Sequence, residues 1–266
     1  MARARILFGD AEVDVVTKHE VLARARDFLA GKSERPGVIA TVNAQFVYLA
    51  GQQPRFAAFL ENADLSLADG MSLVVASRLL GKPLPERISG VDLTEDLWAL
   101  LNEHEGSVYL LGGKPGAAEE TARRLGVRYP NVRVALADCP RWGFEKDEQA
   151  SRAVLERIQA ARPDLLLVGL GAPKQEYWIE DNISALPCKL VVGVGGTFDM
   201  LSGLVRRAPK WMQRTGLEWL FRLCVEPRRL WRRYLAGNSY FVWLVATQSI
   251  AHRINGERRL GEETAE

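Results

Sequence analysis

Short apolar runs recur along most of the chain, and each is followed by a longer stretch whose apolar positions return every three or four residues. The runs are Val38–Val42, Leu65–Ala68, Val108–Leu111, Val132–Ala137, Leu165–Val168 and Leu190–Gly193. Their length and β-branched content read as buried strands. Helical periodicity fills the segments between them. It covers the stretch after Val42 to Asn62, Met71–Leu80 (stopped by Gly81 and Pro83), Asp92–Glu105, the segment after Gly112, Asp147–Arg162 and Ala172–Asp181. This βαβ alternation predicts an α/β fold, a Rossmann-like open and mainly parallel sheet with helices on both faces.

After Leu201 the pattern changes. Two amphipathic helices fit best, divided at Pro227, whose ring disfavours helical geometry at Glu226. Leu217, Leu220, Phe221 and Cys224 stand at i, i+3, i+4 and i+7 and predict one apolar face. The expected organisation is a Rossmann-like domain over residues 1–205, a basic amphipathic helical appendage over 206–254, and a solvated, disordered tail over 255–266. No internal repeat is visible.

Composition narrows the class. A chain of 266 residues with 47% hydrophobic content can bury a substantial core, which excludes wholesale disorder. Three widely separated cysteines give no disulfide framework and no CxxC metal pair, and three histidines argue against a histidine-rich metal site. The N-terminus, MARARILFGDAEVD, turns acidic too early for a secretory signal. The longest apolar candidate, Tyr240–Ala246, is too short to span a bilayer. The expectation is a cytoplasmic protein whose membrane association, if any, is peripheral.

Charge is concentrated in one place. Arg206–Arg233 holds nine Lys and Arg against Glu218 and Glu226, a net +7, whereas the whole chain carries +2. Trp211, Trp219, Phe221 and Trp231 are interleaved with the cations. Arginine pairs with phosphate oxygens and indole rings settle at membrane interfaces. The segment therefore predicts contact with an anionic membrane surface, at the inner face of the cell membrane. For a single arginine the plain alternative is a solvated helix face with a snorkelling stem.

Three predicted strands run into glycine turns: Gly112-Gly113, Gly169-Leu170-Gly171 and Gly193-Val194-Gly195-Gly196. Such turns let a backbone approach a phosphate. Each alone is as readily a plain βα turn, but three on one sheet edge favour a nucleotide-type ligand. No G-x-x-x-x-G-K-[ST] is present, which argues against a P-loop, and GGKPGA is not the dinucleotide fingerprint.

Polar residues collect at the same strand ends. Thr41 and Asn43 close one strand and Asp69 closes another, while Arg87 lies in the loop PLPERISGVD. A carboxylate at a strand's carboxyl end can act as a general base toward an alcohol, which makes Asp69 the candidate catalytic residue. Gln175, just past the Gly169 turn, can reach the same cleft. The alternatives are a helix cap for Asn43, a turn for Asp69-Gly70, a surface cation for Arg87 and an exposed helix position for Gln175. No Asp-x-Asp pair exists to hold a divalent metal, so cations such as Arg87 and the tail arginines would neutralise a leaving diphosphate.

Six blocks, TVNAQFVYLA, LADGMSLVVASRLLGKPLPERISGVDL, VYLLGGKPGAAEETA, LLLVGLGAPKQEYWI, VVGVGGTFDMLSG and RRAPKWMQRTGLEWLFRLCVEPRRLWRRYL, resemble the WecG/TagA/CpsF glycosyltransferase family in order and spacing. The resemblance covers roughly Ile6 to Leu235, and no named pattern is read in the segment that follows. It implies an inverting, metal-independent transferase with no cofactor. Its donor would be a UDP-sugar of the N-acetylmannosamine type, its uronic acid, or glucose. Its acceptor would be a polyprenyl-diphosphate-linked sugar in cell-surface polysaccharide synthesis, of the teichoic acid, enterobacterial common antigen, capsule or exopolysaccharide kind. By that match Asp69 is the base. Thr41 and Asn43 line the same pocket, and Arg87 and Gln175 contact donor or acceptor; the turn glycines Gly112, Gly113, Gly169, Gly171, Gly195 and Gly196 are the substrate-binding candidates read from the strand ends. Arg222, Arg229 and Arg232 belong to an appendage that closes over the site.

Two other classes fit parts of the chain. The glycine turns fit a Rossmann-type oxidoreductase using NAD(P). The basic segment fits a nucleic-acid module less well, because tryptophans and an apolar run accompany it. An apolar tail face also leaves a homo-oligomer open.

Overall fold

The structure is a computed structural model that describes residues 4–263, with side chains described to residue 251. Six strands form one parallel sheet in the order β4-β3-β8-β7-β5-β6. They are β3 Gly37–Val42, β4 Leu65–Ala68, β5 Ser107–Gly112, β6 Arg133–Asp138, β7 Leu165–Gly169 and β8 Leu190–Gly193. All six match predicted runs, and each boundary moves by one residue at most. The connecting helices are α2 Ala44–Gln52, α3 Pro54–Asn62, α4 Met71–Leu79, α5 Gly90–Glu103, α6 Ala117–Arg128, α7 Glu148–Ala161, α8 Lys174–Asn182 and α9 Thr197–Leu201.

Strand residues alternate between two cores, as a period of two requires. Val38, Ala40 and Val42 of β3 face α2, α3 and α8, together with Leu166 and Val168 of β7. Ile39, Leu165, Leu167 and Val192 face the opposite side, with α5 and α6. Both sheet faces are therefore covered, which explains why the strands read as continuous apolar runs.

Three features depart from the sequence expectation. The first is an antiparallel hairpin, β1 Arg5–Phe8 and β2 Ala11–Asp14, followed by α1 Lys18–Leu29. The hairpin is held by long-range contacts that no local pattern announces. Arg5 donates to Asp14 at 3.0 Å, and the Ser66 backbone N–H donates to Asp14 at 2.7 Å. The second is the break between α2 and α3. Pro54 opens α3 and leaves Gln53 extended at φ −136°, so the helical stretch to Asn62 is two helices.

The third concerns the C-terminal segment. It forms three helices rather than two: α10 Lys210–Thr215, α11 Glu218–Val225 and α12 Pro227–Glu263. Pro227 opens α12, at the break expected there. The 255–266 tail falls where side chains, and for 264–266 also the backbone, lie outside the described residues. Leu230, Phe241, Leu244 and Val245 of α12 are buried, and the last three join the core beneath α2. Phe241 packs at 5.8 Å on Phe8 of the hairpin. The Tyr240–Ala246 run is thus partly an intramolecular packing surface. Among the described residues, no helix is long and apolar enough to cross a membrane.

Candidate active site

A parallel sheet delivers every strand's carboxyl end to the same edge, so the glycine turns and the polar strand ends must meet there. They line one cleft of about 970 Å³. Gly112 and Gly113 after β5, Gly169 and Gly171 after β7, and Gly195 and Gly196 after β8 form its floor. Thr41, Asn43, Asp69, Arg87 and Gln175 stand at one side, and α11 with the start of α12 closes it from above. The floor turns abut so closely that a Cβ on Gly112 (φ +99°) would come within 2.8 Å of the Gly169 carbonyl oxygen.

Asp69 is fixed from both sides. Its backbone N–H donates to Val42 at 2.8 Å, and Gly70 then caps α4. Its carboxylate Oδ1 accepts one long hydrogen bond, from the Gly90 N–H at 3.3 Å. Burial, then the negative charge of Glu218, push the carboxyl up to about 7, against Arg87, Arg222 and the Gly90 N–H. A carboxylate surrounded by protein, weakly hydrogen-bonded and open to a cleft is an unstable ion and a proportionately strong base.

The neighbouring polar groups are largely committed to the scaffold. Thr41 Oγ1 donates to the Gly193 carbonyl at 2.9 Å, which ties β3 to β8. Asn43 caps α2 by accepting from the Gln45 N–H at 3.0 Å. The Gln175 amide oxygen accepts from both the Gly171 and Gly195 N–H groups at 3.0 Å, so one side chain staples two floor turns. Its nitrogen donates to Glu176 at 2.6 Å. Burial pushes the Glu176 carboxyl up to about 7, and its second oxygen has no hydrogen-bond partner among the described residues. Gln175 is buried and lines the cleft, not the exposed helix position open to it in the sequence.

The appendage docks through ion pairs. Arg87 donates to Glu218 at 2.6 Å and to Gln213 at 3.3 Å. Arg207 donates to Asp92 at 2.7 and 2.9 Å. Glu226 accepts from Lys114 at 2.8 Å and from Arg229 at 2.5 Å, which links α12 to the β5 turn. Arg222 and Arg233 differ from these. Both line the cleft, and neither Nε has a hydrogen-bond partner among the described residues; the Arg207 Nε lacks one too, but Arg207 does not line the cleft. The Arg222 guanidinium lies 3.2 Å from where a Gly196 Cβ would stand. Burial holds the Arg233 guanidinium below its ordinary value.

The cleft gathers every site residue expected from the sequence except Arg232, which is exposed and has its guanidinium 5.1 Å from the Trp231 ring centre. Arg233 occupies the inward position instead. At 100° per residue, position 233 lies about 40° from Arg229 and between it and buried Leu230, while 232 lies about 60° to the other side. That signal is present in the spacing. Glu218 and Arg207 carry no such signal, because their partners are distant in sequence, and for Glu226 the spacing reveals Arg229 but not Lys114.

This geometry has known counterparts. Residues 6–255 match the family described as Glycosyl transferase WecG/TagA/CpsF, so the match runs past Leu235, where the resemblance read from the sequence ended. An N-acetylglucosaminyldiphosphoundecaprenol N-acetyl-β-D-mannosaminyltransferase of Bacillus spizizenii (strain W23) is 38% identical over 203 residues, 76% of each chain. The protein of the same name from Bacillus subtilis (strain 168) is 34% identical over 204 residues, 76% of this chain and 77% of its own. An oxidoreductase reading finds no support in these matches. With this fold, this cleft and these relatives, the chain belongs to the WecG/TagA/CpsF family and is a glycosyltransferase.

Proposed function

We propose that the protein transfers an N-acetylmannosamine-type sugar from a UDP donor to a hydroxyl of a polyprenyl-diphosphate-linked N-acetylglucosamine, with inversion and without a metal. The observation that carries this reading is the cleft itself: a destabilised carboxylate on one side, a glycine floor below, and two half-buried arginines with uncommitted Nε groups above. Asp69 takes the proton from the acceptor hydroxyl as its oxygen attacks the anomeric carbon. The leaving diphosphate lies over the turns after β7 and β8, where floor N–H groups, Arg222 and Arg233 receive its growing negative charge. Preorganised cations do there what a divalent ion does at a paired-carboxylate site. Thr41, Asn43 and Gln175 hold the wall and floor in shape, and Arg229 braces Lys114 through Glu226.

Peripheral attachment to the inner face of the cell membrane is part of the same proposal. Trp231, Leu235, Val242, Trp243 and Ile250 of α12 are exposed, as are Trp211 and Trp219. Most of these α12 positions recur at spacings of four and seven, which makes one outward stripe beside exposed Arg228 and Arg232. Each basic residue near an anionic leaflet adds about 1 kcal/mol, so binding is reversible.

The test is a transfer assay without added metal, with a short-chain prenyl-diphosphate N-acetylglucosamine acceptor and a panel of UDP-sugars. The expected result is β-linked product from the N-acetylmannosamine donor, lost in Asp69→Asn. Full turnover by Asp69→Asn, or no transfer from any donor of the panel, overturns the reading.

A further inference from the structure

Two carboxylates from different parts of the chain face the cleft beside one arginine. Asp69 comes from the end of β4 and Glu218 from the first turn of α11. Resting on the transferase reading above, we propose that Glu218 is a positioning residue for proton transfer. From the docked appendage it engages Arg87, withholds that cation from Asp69, and places a second negative charge beside the base. Asp69 is then a competent base only while the appendage is closed.

The hydrogen bonds support this division of partners. Arg87 is largely buried and directs Nη1 to Glu218 at 2.6 Å, with Nη2 toward Gln213 at 3.3 Å and Asp92 at 3.4 Å. Its guanidinium is spent on these three groups, while the Asp69 carboxylate accepts from Gly90. The charged groups around Asp69 are Arg87 from the loop before α5, Glu218 and Arg222 from α11, and Arg207 from the segment before α10. Arg207 is taken up by Asp92 of α5. Two of the three arginines near the base thus have a carboxylate partner other than the base. Arg222 is left for the leaving group.

Local structure makes Glu218 suitable for this task. Gly216 at φ +80° ends α10 and reverses the chain, with its Cβ position 3.4 Å from Met71 at the start of α4. The reversal starts α11 two residues later, so Glu218 sits at a helix N-terminus, where an anion is stabilised. With the appendage undocked, water would reach Asp69 and Arg87 would be free to pair with it. Both changes favour the carboxylate ion and weaken the base.

The experiment follows Asp69 directly, in full-length protein labelled with ¹³C at the Asp carboxyl carbons and assigned by the signal lost in Asp69→Asn. Glu218→Gln is expected to lower the Asp69 titration midpoint by about one pH unit. The acid limb of the transfer pH profile should move with it. Glu218→Ala, which frees Arg87, should lower the midpoint further and cut kcat about tenfold, with little change in the donor KM. Glu218→Asp, which keeps the charge, should restore a midpoint close to that of the wild type. An unmoved midpoint in Glu218→Gln overturns the proposal, as does a Glu218→Asp midpoint displaced as far as that of Glu218→Gln. The midpoint needs no turnover, so a shifted midpoint in a protein that transfers no sugar keeps the coupling and sinks the transferase reading instead.

Discussion

The sheet edge and the appendage both face the cleft, yet they hold their polar groups in opposite ways. At the edge Thr41 pairs with Gly193, Asn43 with Gln45, and Gln175 with two turns and Glu176, and the buried atoms left without a partner are carboxyl or amide oxygens, Glu176 Oε2 and Gln45 Oε1. In the appendage, Arg222 and Arg233 keep buried Nε groups with no partner among the described residues. Burying such a group costs about 1–3 kcal/mol, and the cost is recovered when an anion arrives. On the proposed reading, the body would supply shape, floor N–H groups and the base, while the element that covers the cleft would add its uncommitted cations.

The contrast can be broken most directly at Asp69. Asp69→Asn should lower transfer by about 10² to 10⁴, measured at saturating substrates. The same change should stabilise the fold. Because the folded-state pKa lies near 7, above the ordinary 3.8, the native protein holds the proton more tightly than the unfolded chain. Wild-type stability therefore falls as pH rises from about 4 through 7, and each pKa unit is worth about 1.4 kcal/mol. Asp69→Asn should melt higher than wild type at pH 8 and equally at pH 3.5. Equal melting at both values would show that the carboxyl is not destabilised by its site.

The arginines sharpen the contrast next. Arg222→Ala should reduce kcat by about 10² to 10³, the usual loss of one preorganised charge-stabilising donor. Phe241→Ala should cost about 3–5 kcal/mol of stability in a denaturant titration, because α12 shares the body's core. A smaller cost, with a separate unfolding step for the appendage, would make the two regions independent modules. Trp231→Asp with Val242→Asp should weaken sedimentation with anionic vesicles by about tenfold or more, with transfer to a soluble short-chain acceptor preserved. Arg232→Ala should change turnover by less than about twofold, because it stacks on Trp231 outside the cleft. A large Arg232 effect on a soluble acceptor would reverse the assignment of inner and outer arginines.

Much of the fold and part of the site are legible in the residue pattern. The parallel strands can be read because both faces are buried, which leaves uninterrupted apolar runs. Asp69 can be read because a polar residue at a strand's carboxyl end must emerge on the ligand-binding edge. Local rules fail where a distant residue decides the outcome. The β1–β2 hairpin depends on Arg5, Asp14 and Ser66. The 217–224 periodicity announces an apolar face, yet Leu220 stays 39% exposed, because α11 turns its charged side to the cleft. The apolar run at 240–246 divides between Phe241, Leu244 and Val245 inside and Val242 and Trp243 outside.

By itself the sequence determined the α/β architecture, the glycine floor, the position of Asp69 and the concentration of positive charge after residue 205. These follow from local periodicity and from the fixed polarity of parallel strands. Tertiary structure alone decided which cation meets which carboxylate. Arg87 with Glu218, Arg207 with Asp92 and Lys114 with Glu226 are each more than a hundred residues apart along the chain. No local pattern encodes such pairs, because the free energy of an ion pair depends on distance and burial that exist only once the helices have docked.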